Sequence, residues 1–191
     1  MSWYKNMPYE ALEGLYLQNL RYYSDIIDYG TPTNYDFCRY CYFSILLTQL
    51  RNAARVSEAA EAIVRYYYTN EKIQYVKTRK QRRHEERIIV IPKEVCRDKL
   101  IYVRKLYEDG ILHTDRVCSW VKVFWKRNKW KETNTHTNRH ACITHLAKNN
   151  TNPLDIRAIT KHKKLETILR YIHDSNAESI LKRLNGEKDD R

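Results

Sequence analysis

The sequence predicts a mainly α-helical α+β domain carrying a small three-stranded antiparallel sheet. Three observations point there. Long segments repeat apolar residues at helical spacing, a central stretch switches to short β-branched and aromatic runs, and 191 residues with 42% hydrophobic content suit one ordinary domain with a real core.

"PYEALEGLYLQNLRYY" places Leu12, Tyr16, Leu20 and Tyr23 on one helical face, with Pro8 suited to the first turn. After the breaker "YGTPTN", Thr33 or Asn34 is placed to cap a second helix from about Tyr35 to Leu50, apolar enough to be central. A third begins near Arg55 in "AARVSEAAEAIV". The runs "RYYY", "KIQYV" and "RIIVIP", joined by polar segments, then read as the three strands. Helices resume in "RDKLIYVRKLYED", ending at Gly110, and in "TDRVCSWVKVFWKRNKW", with a Thr114 cap and Val117, Val121, Phe124 and Trp125 on one face. "TNPLDIRAIT" has the cap, proline and acid of a helix start, and "SNAESILKRLNG" a Ser175/Glu178 capping box with Gly186 as stop; 186–191 form a charged tail.

Lys and Arg number 35 against 23 Asp and Glu, a formal net charge of +12 that favours a polyanionic partner such as nucleic acid. No stretch is long and apolar enough to span a bilayer, and "MSWYKNMPYE" lacks the apolar core of a secretory signal. The five cysteines lie mostly in apolar helical patterns and read as reduced core residues, which implies an intracellular setting. "KTRKQRR" and "VKVFWKRNKWK" supply Arg79, Lys80, Arg82, Arg83, Lys126 and Arg127 as candidate phosphate contacts, independent of base sequence.

"NTHTNRHACITHL" (134–146) concentrates three histidines and an arginine. His136 and His140 are four apart, but no Glu stands in the zincin position and Cys38/Cys41 lie in an apolar helix, so no metal site is expected. His140 and His145 have apolar helical neighbours and read as core. His136 precedes the apolar run, at a helix N-terminus whose N–H groups favour an anion, and Arg139 adds a planar guanidinium suited to phosphate.

"NAARVSEA" (52–59), "HTNRH" (136–140) and "ITKHKKLETILRYIH" (159–173) resemble, in order, the three boxes of the tyrosine recombinase (phage/viral-type integrase) family. Arg55 stands at the family's first arginine, His136 and Arg139 match its His-x-x-Arg, His140 the histidine that often follows, His162 the third-box histidine, and Tyr171 lies the usual nine residues later. Lys77 resembles the hairpin lysine, with Lys80 as its alternative in this longer loop. Ala53 and Lys161 replace customary glycines, and Asn138 a customary leucine.

The resemblance implies the tyrosine recombinase catalytic-domain fold and metal-free, cofactor-free DNA cleavage and rejoining. Tyr171 would be the nucleophile forming a 3′-phosphotyrosine. Arg55, Arg139 and His162 would hold the phosphoryl oxygens, His136 would assist proton transfer and Lys77 would be the general acid, with Lys161 beside the DNA. It further implies site-specific recombination for a virus or mobile element, four protomers on two duplexes, DNA association in a prokaryotic cytoplasm, and docking of 176–185 on a neighbour. The family's N-terminal core-binding domain has no counterpart here, so a single catalytic domain is expected over 1–191. A type IB topoisomerase and a non-catalytic DNA-binding module remain alternatives.

Overall fold

The computed structural model describes residues 7–78, 86–128 and 134–171. Arg79, Lys80, Arg82, Arg83, Trp130 and the proposed helix 176–185 lie outside them.

Seven α-helices are delimited among the described residues. They are α1 (Tyr9–Tyr29), α2 (Asn34–Arg51), α3 (Val56–Thr69), α4 (Val103–Leu106), α5 (Thr114–Arg127), α6 (Thr135–Lys148) and α7 (Pro153–Thr160). Residues 165–171 are helical as well.

The α2 helix is the axis of the fold. A Thr33/Asp36 capping box starts it, and every residue from Tyr40 to Leu50 is buried, so all its faces are covered. Leu12, Tyr16 and Leu20 of α1 pack on one side, as the helical spacing predicts, and Val117, Val121 and Trp125 of α5 join the same core. Cys41 and Cys142 are buried; Cys96 is exposed, unlike the expected core cysteine, and all five cysteines are free thiols.

The sheet is smaller than predicted. Strands β1 (Ile73–Lys77) and β2 (Glu86–Val90) form an antiparallel pair with Val76 opposite Arg87 and Lys77 opposite Glu86. "RYYY" is instead the last part of α3. Tyr66 follows Ala62 and Ile63 on the buried helical face, and left-handed Asn70 ends the helix (φ 62°) before the chain extends. Helical periodicity therefore outweighs the β propensity of consecutive tyrosines.

The long helix expected over "RDKLIYVRKLYED" is broken. A 3-10 turn (Arg97–Lys99) and the four-residue α4 lead into a second hairpin, β3 (Tyr107–Glu108) and β4 (Ile111–Leu112). Asp109 and Gly110 both have positive φ (52° and 75°), the backbone of a two-residue turn that an Asp-Gly pair favours.

Asn138, where the resemblance expects a leucine, is 1% exposed yet fully engaged. Its Oδ1 accepts from the Tyr16 hydroxyl (2.6 Å) and its Nδ2 donates to Gln49 Oε1 (3.0 Å), while Gln49 Nε2 donates to the Thr135 carbonyl (2.5 Å). This buried chain ties α1, α2 and α6 together and fixes the rotation of α6, because the apolar alternative would leave polar atoms unpaired.

A second, smaller cluster of Ala53, Cys142, Ile143, Ala147, Ile156 and Ile168, with Leu165 and Tyr171 against it, seats α7 and the 165–171 segment on α6. Tyr16→Phe should cost about 1–2 kcal/mol by stranding the Asn138 carbonyl. Urea unfolding monitored by tryptophan fluorescence checks it; an unchanged midpoint would mean the network adds nothing.

Candidate active site

The turn between α2 and α3 is the foundation of the site. Its Ala53 is fully buried at φ 46°, a left-handed backbone uncommon for a residue with a Cβ. This conformation aims the Ala53 carbonyl at two guanidiniums: Arg139 Nη1 donates to it at 2.8 Å and Arg87 Nη1 at 3.4 Å. Arg139 also donates to the Thr160 carbonyl (2.5 Å) at the end of α7. Buried backbone acceptors thus hold Arg139 from two directions.

Arg55 is the N-cap residue of α3. Its backbone N–H and its Nη1 donate to the two oxygens of Glu58 (2.9 and 2.8 Å), leaving the side chain 27% exposed. Glu58 is also paired with Arg87 at 2.9 Å, both side chains being 1% exposed, and Arg87 donates to the Asn52 carbonyl (2.5 Å). One carboxylate therefore spans two arginines. Burial pushes the Glu58 carboxyl up, but the Arg55 N–H and the Arg87 and Arg55 charges outweigh it and hold it below its ordinary value.

Burial, then the charges of Arg87 and Arg55, lower Arg139 to about 10, so it remains a cation at neutral pH. Its Nη2 lies 3.5 Å from both ring nitrogens of His162, and His162 Nδ1 is hydrogen-bonded to the Thr160 hydroxyl at 2.7 Å. Burial, then Arg139 and Arg55, lower His162 from 6.5 to about 4. Lys161, just before it, adopts φ 53°, so both positions where the resemblance expects glycine keep left-handed backbone with a side chain present.

Tyr171, on the 165–171 segment, hydrogen-bonds Nδ1 of His140 on α6. His140 is therefore half-buried and engaged with a phenol, in place of the core packing its apolar neighbours suggest. Burial, then His136 and Arg139, lower it to about 4. His145 is not a core histidine either: it stacks on Tyr9 (4.2 Å between centroids) and pairs with Glu10 at 2.8 Å.

His136 is exposed in the first turn of α6, close enough to His140 to depress its basicity. Its backbone N–H is bonded by Asn134 Oδ1 (2.7 Å). The predicted anion preference of the bare helix N-terminus is to that extent satisfied by the cap, and the cationic focus lies instead at the guanidiniums.

The structure thus brings Arg55, Arg139, His162 and Tyr171 into one hydrogen-bonded and electrostatically coupled group, with His136 at its rim. Lys77 is exposed, on the hairpin face opposite Arg87. Lys126 and Arg127 are exposed in the last turn of α5. Arg127, Arg39, Trp120 and Phe124 line a separate pocket of about 340 Å³. Arg87 was not foreseen; the signal was its strand parity, since it shares the inward face of β2 with Ile89. Among the described residues, no three His, Cys, Asp or Glu side chains converge as metal ligands.

No family model matches the chain. It is 31% identical to "Putative integrase ORF241" of Acidianus two-tailed virus over 143 residues, 75% of this chain and 56% of that protein, so it spans just over half of the viral relative's length. It is 28% identical over 173 residues to the uncharacterized protein MJ0770 of Methanocaldococcus jannaschii, covering 81% of this chain and 77% of that one. In fold it is similar to the Tn1549 transposon integrase solved with transposon right end DNA (TM-score 0.50, 16% identity, 95% of this chain and 68% of that chain). The fold is accordingly that of a mainly helical integrase-like α+β domain with small antiparallel sheets.

Two outcomes follow from this geometry. Between pH 6.5 and about 4 the unfolded chain binds protons at His140 and His162 that the folded chain does not, so stability falls as pH falls through that window. Glu58 adds to the loss further down, because its folded-state value is depressed. Urea midpoints measured across the range should decline monotonically, with a shallower decline in His162→Gln; a flat profile would contradict the burial of neutral imidazoles. Separately, Lys161→Gly should stabilise the fold by about 1 kcal/mol, because relieving left-handed strain outweighs glycine's extra chain entropy. A lowered thermal midpoint would show that the lysine side chain contributes more than its strain costs.

Proposed function

We propose that this chain is the catalytic domain of a DNA integrase or recombinase, cutting and rejoining DNA through Tyr171. The observation that carries the reading is the convergence of one phenol with two anchored guanidiniums and an imidazole, contributed by four separate parts of the chain. Those residues are the ones the three-box resemblance selects. Similarity to the viral integrase and the integrase-like fold support the same class. The net charge of +12 suits a phosphate backbone as partner.

The chemistry follows from the residue types. A phosphodiester resists attack because its oxygens are negative, and cationic donors held in place beforehand offset the charge that grows during displacement. Arg139, fixed by two carbonyls, and Arg55, fixed by Glu58, supply that charge, and His162 donates a further hydrogen bond. The Tyr171 oxygen attacks phosphorus in line and the 5′ oxygen departs, leaving a 3′-phosphotyrosine. Reversal by another 5′ hydroxyl rejoins the strand with no external energy source, because the phosphodiester bond energy is retained in the enzyme link.

The departing oxygen takes a proton from a general acid on the β1–β2 hairpin, where Lys77 and Lys80 are the alternatives. The resemblance gives proton transfer near the tyrosine to His136, at the rim. Arg79, Lys80, Arg82, Arg83, Lys126, Arg127 and Lys161 hold the duplex by its phosphates. Exchange between two duplexes calls for four protomers, with the segment beyond Tyr171 reaching a neighbour.

Nicked duplexes carrying candidate element ends, incubated with the protein in EDTA and resolved on a denaturing gel, test the reading. A covalent protein–DNA band is expected from the wild type, none from Tyr171→Phe, and about 100- to 1000-fold slower formation in Arg139→Ala. DNA binding without an adduct on any substrate would instead favour a binding module. Relaxation of any supercoiled plasmid without a paired site would favour a topoisomerase.

A further inference from the structure

We infer that His140 is the group that takes the proton from Tyr171 as its oxygen attacks phosphorus. This rests on the nucleophilic role of Tyr171 proposed above. The resemblance gives the proton-transfer role to His136, one turn earlier on α6; the geometry points to its neighbour.

The hydroxyl of Tyr171 is bonded to a ring nitrogen, Nδ1, of His140. The two rings are 5.5 Å apart between centroids and inclined at 37°, so the contact is made through the ring edge and not by stacking. α6 carries His140 directly after Arg139, the guanidinium held by the Ala53 and Thr160 carbonyls, which gives the imidazole a fixed origin. On the other side, the 165–171 segment is seated by Ile168 and Leu165 against Cys142, Ile143 and Ala147 of α6. Packing thus holds the phenol and the imidazole within hydrogen-bonding reach of each other, as general-base catalysis requires.

The proton balance closes. In the tautomer with hydrogen on Nε2, the lone pair of His140 Nδ1 receives the phenolic proton. The Tyr171 oxygen–phosphorus bond forms, the bond from phosphorus to the 5′ oxygen breaks, and the hairpin acid protonates that oxygen. His140 ends as an imidazolium, poised to return the proton to the phenol when the strand is rejoined.

The charges around His140 make this base responsive to substrate. Burial, His136 and Arg139 disfavour its protonated form, and His162 and Tyr171 are the other titratable groups that face it. A DNA phosphate seated on Arg139 and Arg55 offsets the guanidinium charge that disfavours the imidazolium. His140 becomes a stronger base when a phosphodiester is present and a weaker one when the site is empty, which protects the tyrosine from idle ionisation.

Two measurements decide it. Nitrogen chemical shifts of 15N-histidine-labelled protein should show His140 as the Nε2–H tautomer, with an Nδ1 signal that moves in Tyr171→Phe. An Nδ1–H tautomer, or no response to the phenol's removal, would overturn the assignment without any DNA substrate. In the adduct assay, His140→Gln should slow formation by about 100-fold or more. It should leave DNA affinity unchanged, and His140→Gly should regain rate with added imidazole along the pH dependence of free imidazole. Wild-type rates and an unaltered pH profile in His140→Gln, with the loss appearing in His136→Gln, would return the role to His136. Absence of an adduct from the wild type itself would count against the nucleophilic function of Tyr171 and this step together, which separates the two failures.

Discussion

Everything in the site depends on accommodating three guanidiniums in a space largely removed from water. Arg55, Arg87 and Arg139 repel one another, and the solution is a single buried carboxylate, Glu58, together with the Asn52, Ala53 and Thr160 carbonyls. Burying such charges is costly unless each finds partners of fixed geometry. Meeting that condition locks the α2–α3 turn, the inner face of the hairpin and the start of the loop after α7 to one another. The same locking leaves Arg55 partly exposed while Arg87 and Arg139 are buried.

That constraint accounts for backbone that would otherwise look arbitrary. Ala53 holds a left-handed conformation in which its carbonyl accepts from both Arg139 and Arg87. Lys161 does the same beside the Thr160 carbonyl and the His162 ring. Strain of order 1–3 kcal/mol at each such position is sustained by the contacts it enables. Arg87 binds the Glu58 carboxylate and the turn carbonyls, and so supports Arg55 and Arg139 from a buried position.

Much of this was legible in the residues. The apolar spacing of Leu12, Tyr16 and Leu20, the Thr33 cap and the nearly all-apolar α2 lead directly to the central packing. The order of the three boxes places Arg55, Arg139, His162 and Tyr171 together, as the fold does. What was not legible depends on tertiary partners. "RYYY" has strand-like composition, yet Tyr66 continues the buried face of α3. The Asp109-Gly110 pair carries a hairpin signal that a longer helical pattern obscured. His140 has apolar neighbours in sequence and a phenol as its partner in space. Arg87 reads as one more basic residue until strand pairing sets it opposite Val76, facing inward.

The central claim is that Tyr171 itself becomes bonded to DNA. Digesting the protein–DNA adduct with protease and nuclease and sequencing the modified peptide by mass spectrometry addresses it most directly. The account predicts a peptide spanning Tyr171 that bears a nucleotide through its 3′ phosphate on the phenolic oxygen. A nucleotide on any other of the sixteen tyrosines, or a linkage through a 5′ phosphate, would contradict it.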